Sequence, residues 1–144
     1  MSTPETIIRQ WFKEVWEGGD ERAIDRLMAA DAVVHGLSGA GGAQLHGPEG
    51  FKPYFRAVRG ALSDLRVDIK RVVTEGDICV AHCHIRARHT GESLGGPATG
   101  RPVDFWGMVM VKVREGQLAE GWNCFEFLSM YQQLGWVQDP VTPL

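Results

Sequence analysis

The stretch GMVMVKVREGQLAEGWNCFEFLSMYQQLG, residues 107–135, decides the fold. It contains two long apolar runs joined by Glu115 and Gly116, and it ends in a short segment with helical spacing. Two such runs around a Gly-containing turn predict a β-hairpin, here followed by a closing helix. One carboxylate, that of Glu126, falls between Phe125 and Phe127, and an acid among aromatic residues is either paired or chemically used.

Two further strands are predicted upstream of this hairpin. Leu65, Val67 and Ile69 alternate with polar residues, which is the period of a half-buried strand. A turn at residues 75–77 then leads into a strand from about 78 to 89. With strands at about 103–114 and 117–127, the second half of the chain is predicted to form a four-strand antiparallel meander.

The first half of the chain has the period of helices. Its first helix carries an apolar stripe of Ile7, Ile8, Trp11, Phe12, Val15 and Trp16. A second helix is predicted to begin at Asp20 and a third at Pro48, separated by a short strand (32–35) and a glycine-rich loop (36–47). Helices followed by antiparallel strands predict an α+β fold, with N-terminal helices packed on a curved antiparallel sheet. The length predicts a single domain, 1–144.

Composition limits the class of partner. The formal net charge is −3 and the basic residues are scattered, which argues against nucleic acid. No apolar run approaches the length of a membrane span, and the charged N-terminal segment does not have the pattern of a signal peptide. Three cysteines without a C-x-x-C pair indicate reduced thiols in the cytoplasm. His82 and His84 have a spacing that metal sites use, but no third ligand is identifiable, so no metal is expected.

A family resemblance rests on the C-terminal half. Thr99-Gly100, followed by RPVDFWGMVMVKVREGQLAEGWNCFEFLSMYQQLG, resembles the SnoaL-like polyketide cyclases of the NTF2-like superfamily, and RHTGE (88–92) and HGPEGF (46–51) resemble further segments of that family. The resemblance covers nearly the whole chain in element order. It implies an NTF2-like conical barrel whose open end binds a hydrophobic, often polycyclic, carbonyl compound. It also implies intramolecular aldol condensation by an acidic general acid/base, without a metal or an organic cofactor.

Glu126 is the catalytic residue that the resemblance implies. It occupies the position where the family has an Asp, seven residues before Gln133. Its side chain is longer by one methylene, and a displacement of about 1 Å can cost about 100-fold in rate. Strand alternation predicts that Glu126 shares a face with Trp122, Cys124 and, across the hairpin, Phe105. The alternative is a structural carboxylate paired with an arginine.

Other residues are predicted to complete the site. His35 and His84 are candidate polar helpers in catalysis, although His84 could instead lie on an outer surface and His35 could be structural. Residues predicted to bind the ligand are His46, Tyr54, Phe55, Phe105, Trp122 and Cys124. His89 is predicted to anchor the loop over 90–102 through a backbone hydrogen bond.

Three functions remain open from the sequence. The first is a cofactor-independent enzyme of the cyclase, lyase or isomerase type, and the second is a non-catalytic module that binds a small molecule. The third is an epoxide hydrolase-like enzyme, because Arg66 and Asp68 match part of that branch, but Cys124 stands where its second Asp is needed. The face that carries Trp106, Met108 and Met110 is apolar enough to predict a homodimer.

Overall fold

The structure, a computed structural model, describes residues 2–37 and 42–138. Its helices are α1 (Pro4–Gln10) with a π-helical continuation (Trp11–Glu17), α2 (Glu21–Leu27), α3 (Gly47–Ala61) and α4 (Phe127–Gln133). Its strands are β1 (Met28–His35), β2 (Leu45–His46), β3 (Leu62–Glu75), β4 (Ile78–His89), β5 (Pro102–Arg114) and β6 (Gln117–Phe125). The predicted α+β class is therefore confirmed. No helix in the described ranges is long and apolar enough to cross a membrane.

The strands form one six-stranded sheet in the order β2-β1-β6-β5-β4-β3. The antiparallel meander of β3 to β6 is confirmed. The short strand predicted at 32–35 is present as β1, but its parallel pairing with β6 and the added strand β2 were not predicted. The centre of the predicted glycine-rich loop, residues 38–41, lies outside the described residues.

Side-chain caps begin the first two helices, and the cap of the second confirms its predicted start at Asp20. The Thr3 hydroxyl accepts the N–H of Thr6 at 3.1 Å, and the Asp20 carboxylate accepts the N–H of Arg22 at 3.0 Å. Side-chain oxygens at these positions satisfy backbone donors that the first helical turn leaves open. The helices pack on one side of the sheet, with α1 against β3, β4 and β5 and with α3 against β1 and β3. We call this helix-covered side the inner face and the opposite side the outer face.

A β-bulge in the hairpin of β5 and β6 decides which residues of β6 lie on each face. Val113 pairs with Leu118, but Lys112 pairs with Glu120, so β6 carries one extra residue. Because side chains alternate with a period of two, one extra residue turns every following side chain to the other face. The buried Val109 therefore pairs with Asn123 on the inner face. On the outer face the exposed Met108 pairs with Cys124.

His89 anchors the loop that follows β4. Its N–H donates to the carbonyl of Arg101 at 2.9 Å, which confirms the predicted backbone hydrogen bond. Its Nδ1 accepts the N–H of Thr99 at 3.1 Å. The ring is fully buried and meets Trp136 edge-on at 5.2 Å. These contacts hold both ends of the loop against the sheet.

Candidate functional site

An apolar cavity lies between the helices and the inner face of the sheet. The empty space in and in front of it is about 790 Å³, and part of this is open solvent at its mouth. Its aliphatic lining includes Val34, Leu37, Val58, Leu62, Leu65, Val67, Ile85, Val109, Val111 and Leu118. A concave, mostly apolar space with few polar groups is the usual form of a small-molecule site.

Aromatic rings form the helical wall of this cavity. Trp11 and Trp16 of the first helix meet Phe51 of α3 at ring distances of 5.1 and 5.9 Å, and Trp16 meets Tyr54 edge-on at 6.1 Å. Phe51 is fully buried. Tilted and edge-on contacts are the arrangements that aromatic pairs prefer, so this wall offers a close-packed apolar surface to a ring system.

The sheet side of the cavity is closed by a second aromatic group. Phe105, Phe125 and Phe127 lie within 6.3 Å of one another, measured between ring centroids. The Phe125 ring lies over Gly107, where a Cβ atom would collide with it. Glycine at position 107 is therefore what allows Phe125 to lean across the inner face.

Two lining side chains combine a polar group with an open hydrogen-bonding position. The Tyr54 hydroxyl has no hydrogen-bond partner among the described residues. Burial, with a smaller contribution from nearby Tyr131, raises the pKa of Tyr54 well above its usual range, so the phenol is a neutral donor at pH 7. Asn123 also lines the cavity, and its Nδ2 donates to the backbone carbonyl of His35 at 2.9 Å.

Glu126 does not lie where the resemblance leads one to expect. It is exposed, it is absent from the lining of the cavity, and its Oε1 accepts the N–H of Trp106 at 3.0 Å. The Glu126 N–H donates to the backbone carbonyl of Trp106. The expected position among aromatic residues of a pocket is wrong because the bulge places Glu126 opposite Trp106 on the outer face. Pairing with an arginine, the structural alternative, is not observed among the residues that the structure describes either.

Three other predicted residues also lie outside the pocket, two of them on β6 because of the same bulge. Trp122 pairs with Met110 and Cys124 with Met108, so both lie on the outer face, opposite to Phe105. His84 also lies on the outer face, where it packs against Trp106 at 4.6 Å and bonds Asp104 at 3.1 Å. The predicted placement of Trp122 and Cys124 in the pocket is wrong, and His84 follows its stated alternative, a position on the outer surface. Trp106 and Met108, on the face for which a dimer contact is predicted, are exposed, at 38% and 51%.

The remaining predicted residues divide between cavity and surroundings. Tyr54 and Phe105 line the cavity, as expected. Phe55 is buried but packs behind the wall, edge-on to Trp16 at 5.6 Å, and is not part of the lining. His46 is exposed at the start of α3, and its side chain forms no capping hydrogen bond.

His35 belongs to a polar cluster beside the cavity. Its Nε2 lies 2.7 Å from a carboxylate oxygen of Glu120, and its ring stacks on Trp122 at 5.5 Å. Glu120 borders the cavity, but it pairs with Lys112, so its carboxylate lies on the outer face with the imidazole. The His35 ring is thus held by contacts on the outer face, while the His35 backbone carbonyl accepts the hydrogen bond from Asn123.

Sequence reasoning missed Asn123 because it assumed an unbroken alternation along β6. One signal was present: Gly121 stands in the interior of the strand, and such a glycine often marks a bulge. In the described parts of the chain, no group of three His, Cys, Asp or Glu side chains is arranged to hold a metal ion.

Comparisons with known proteins agree with this architecture. The structure resembles IdmH of Streptomyces antibioticus, a candidate polyketide cyclase, with 28% identity, coverage of 93% of this chain and 99% of that chain, and a TM-score of 0.79. A candidate polyketide cyclase from Acidithiobacillus ferrooxidans gives 28% identity, 93% and 95% coverage, and a TM-score of 0.78. A SnoaL-like protein from Jannaschia, at 19% identity, 97% and 93% coverage and a TM-score of 0.82, supports the fold alone.

The search of curated proteins found no match. The family model described as SnoaL-like polyketide cyclase matches residues 6–134, which is most of the chain. With this match and the α+β architecture in agreement, the chain belongs to the SnoaL-like polyketide cyclase family.

Proposed function

We propose that the cavity binds a hydrophobic carbonyl compound and that the Tyr54 hydroxyl polarises its carbonyl group. The observation that carries this proposal is a neutral phenol, without a partner among the described residues, in an otherwise apolar cavity. An apolar ring system gains free energy from leaving water, by about 25 cal/mol per Å². A carbonyl oxygen on such a ligand would accept the one hydrogen bond that Tyr54 has to donate.

Aldol ring closure is the reaction that this arrangement can assist. The α-carbon of the ligand's enol form bonds to the second carbonyl carbon as the π bond of that C=O breaks, so negative charge develops on the second oxygen. The proton that the enol hydroxyl loses passes through water to this oxygen, which becomes the hydroxyl of the product. A hydrogen-bond donor in a water-poor site stabilises that charge. Glu126 is not positioned to take the proton, because its carboxylate lies on the outer face and is bonded to Trp106. The ring-closing role therefore rests on Tyr54 and on the shape of the cavity.

Ligand binding can be tested directly with 1-tetralone, a fused-ring ketone. Because Trp11 and Trp16 line the cavity, binding should quench tryptophan fluorescence. Tyr54→Phe keeps the ring and removes the hydroxyl, so we expect about fivefold weaker binding, the worth of one neutral hydrogen bond. Val58→Phe fills part of the half-buried lining and should weaken binding at least about tenfold. Unchanged affinity in both variants would refute binding in this cavity.

Turnover separates an enzyme from a binding module. A phenyl-substituted 1,5-diketone closes to a hydroxyketone by forming one C–C bond, and loss of water then gives a conjugated enone that absorbs in the ultraviolet. We expect the enone to form faster with the protein than in buffer, and more slowly with Tyr54→Phe. Binding without acceleration would identify the chain as a non-catalytic module.

We further propose a cytoplasmic homodimer that buries the outer face of the sheet. Trp106 and Met108 are exposed there beside His82 and His84. Large contiguous apolar surface on a sheet is typical of a subunit interface. The three free cysteines fit a reducing compartment.

A further inference from the structure

The hydrogen-bonding groups of the cavity are unevenly divided between donors and acceptors. The lining indole groups of Trp11 and Trp16 can only donate. The neutral hydroxyl of Tyr54 is the donor on which the proposed function rests. The Glu120 carboxylate is bonded to His35 on the other face. This leaves the amide of Asn123 as the side chain able to offer a fixed acceptor.

The orientation of this amide follows from its contact with His35. A backbone carbonyl can only accept a hydrogen bond, so the Asn123 atom that lies 2.9 Å from the His35 oxygen must be the nitrogen. The other amide atom, Oδ1, is therefore the one left for a different partner. Rotation of the Asn123 amide by 180° would place Oδ1 against the backbone oxygen of His35, and these two acceptors would repel each other.

Oδ1 is the unpartnered polar atom of Asn123, a residue that lines the cavity. No described residue donates to it. Within residues 2–37 and 42–138, the only fully buried side-chain polar atom without a hydrogen-bond partner is Nε2 of His89. Oδ1 of Asn123 has no partner and is not in that class, so it is accessible. The pairing of Asn123 with Val109 places the Asn123 side chain on the inner face.

The backbone that holds Asn123 is itself fixed. Gly36 has a φ of +88°, and a Cβ atom there would collide with the backbone oxygen of Asn123. The preceding His35 ring is held by Glu120 and by stacking on Trp122. The His35 carbonyl is therefore a rigid reference point, and a preorganised acceptor loses little entropy when it binds a ligand.

From this geometry we propose that Asn123 is a specificity-determining residue, whose Oδ1 accepts a hydrogen bond from a hydroxyl group on the ligand. The inference rests on the proposed function and narrows its ligand class to carbonyl compounds that also carry a hydroxyl. Tyr54 would bind the carbonyl and Asn123 the hydroxyl. A ligand without the hydroxyl would cover Oδ1 and leave it without a donor, which costs free energy. Such ligands are therefore disfavoured.

The test compares hydroxyl with methyl on one scaffold. The 5-, 6- and 7-hydroxy isomers of 1-tetralone are each matched by the methyl isomer of similar size, and affinities are measured by fluorescence quenching. For the wild-type protein we expect at least one hydroxy isomer to bind about five- to tenfold more tightly than its methyl partner. In Asn123→Leu, which keeps the size of the side chain, this preference should disappear while the methyl isomer still binds.

Controls separate the outcomes. Cys124→Ala alters the next residue of β6, on the outer face, and should preserve the preference; Asn123→Ala replaces Asn123→Leu if circular dichroism shows that the leucine variant does not fold. A preference that survives in the folded Asn123 variants, or wild-type protein without any preference, would overturn the role of Asn123. Failure of every tetralone to bind wild-type protein would instead overturn the proposed function, and this inference with it.

Discussion

Replacing Glu126 distinguishes the position seen in the structure from the catalytic role that the resemblance implies. Oε1 of Glu126 accepts the Trp106 N–H at 3.0 Å, and the Glu126 N–H donates to the Trp106 carbonyl at 3.0 Å. Glu126→Gln keeps a carbonyl oxygen at the same place and can preserve the first bond. Glu126→Ala removes it and leaves the Trp106 N–H to water.

The expected effects are on stability and are modest. A hydrogen bond contributes about 1 kcal/mol net, and this one lies at an exposed position, so Glu126→Ala should lower the free energy of unfolding by about 1 kcal/mol or less. For a domain of this size that corresponds to a fall in Tm of about 2–4 °C. Glu126→Gln should change stability by less than about 0.5 kcal/mol. Urea unfolding followed by circular dichroism measures both values.

Ligand affinity and ring closure should be unchanged in both Glu126 variants, because the carboxylate does not line the cavity. A tenfold or greater loss of tetralone binding or diketone cyclisation in Glu126→Gln, with unfolding unchanged, would refute this reasoning. It would show that the carboxylate works at the ligand despite its bond to Trp106.

The remaining predictions concern the thiols and the outer face. Burial raises the pKa of Cys79 and of Cys83 from 9.0 to about 11. Between pH 9 and 11 the unfolded thiols are ionised while the folded ones keep their protons, so stability should fall as pH rises through this window. A Cys79→Ala/Cys83→Ala variant should show a smaller fall in urea titrations, and an equal fall would contradict the assignment. Met108→Lys places a charge on the exposed outer face and should convert the proposed dimer to monomer in sedimentation velocity, whereas an unchanged sedimentation coefficient would count against that interface.

Local patterns in the sequence were sufficient for much of the fold. The turn at Glu115 and Gly116 has a positive φ at both residues, and β4 runs over the predicted residues 78–89. Alternation and turn residues are local signals, so they can be read without the tertiary structure. The parallel pairing of β1 with β6 could not be read in this way. It joins His35 to Trp122, which are far apart in the chain.

The site was harder to predict because it depends on a single extra residue. With unbroken alternation after the turn at 115–116, Trp122, Cys124 and Glu126 would face the helices with Phe105. The bulge at Lys112 and Val113 reverses this and places Gly121, Asn123 and Phe125 there instead. Sequence reasoning could therefore identify the lining residues of the helices, such as Tyr54, but assigned the wrong half of β6.

The bulge also makes β6 sensitive to a kind of mutation that substitutions do not imitate. Deleting Ala119 would remove the bulge and leave Glu120 opposite Lys112, so Gly121, Asn123 and Phe125 would stay on the inner face. Deleting Gly121 with the bulge intact would instead rotate the rest of the strand by half a repeat, so that Trp122, Cys124 and Glu126 would press against the helices and Asn123 and Phe125 would lie on the outer face. A deletion of two residues beyond the bulge would keep the orientation and shorten the strand. The alternation of side chains along β6, as much as their identity, therefore determines which groups a ligand contacts in the cavity.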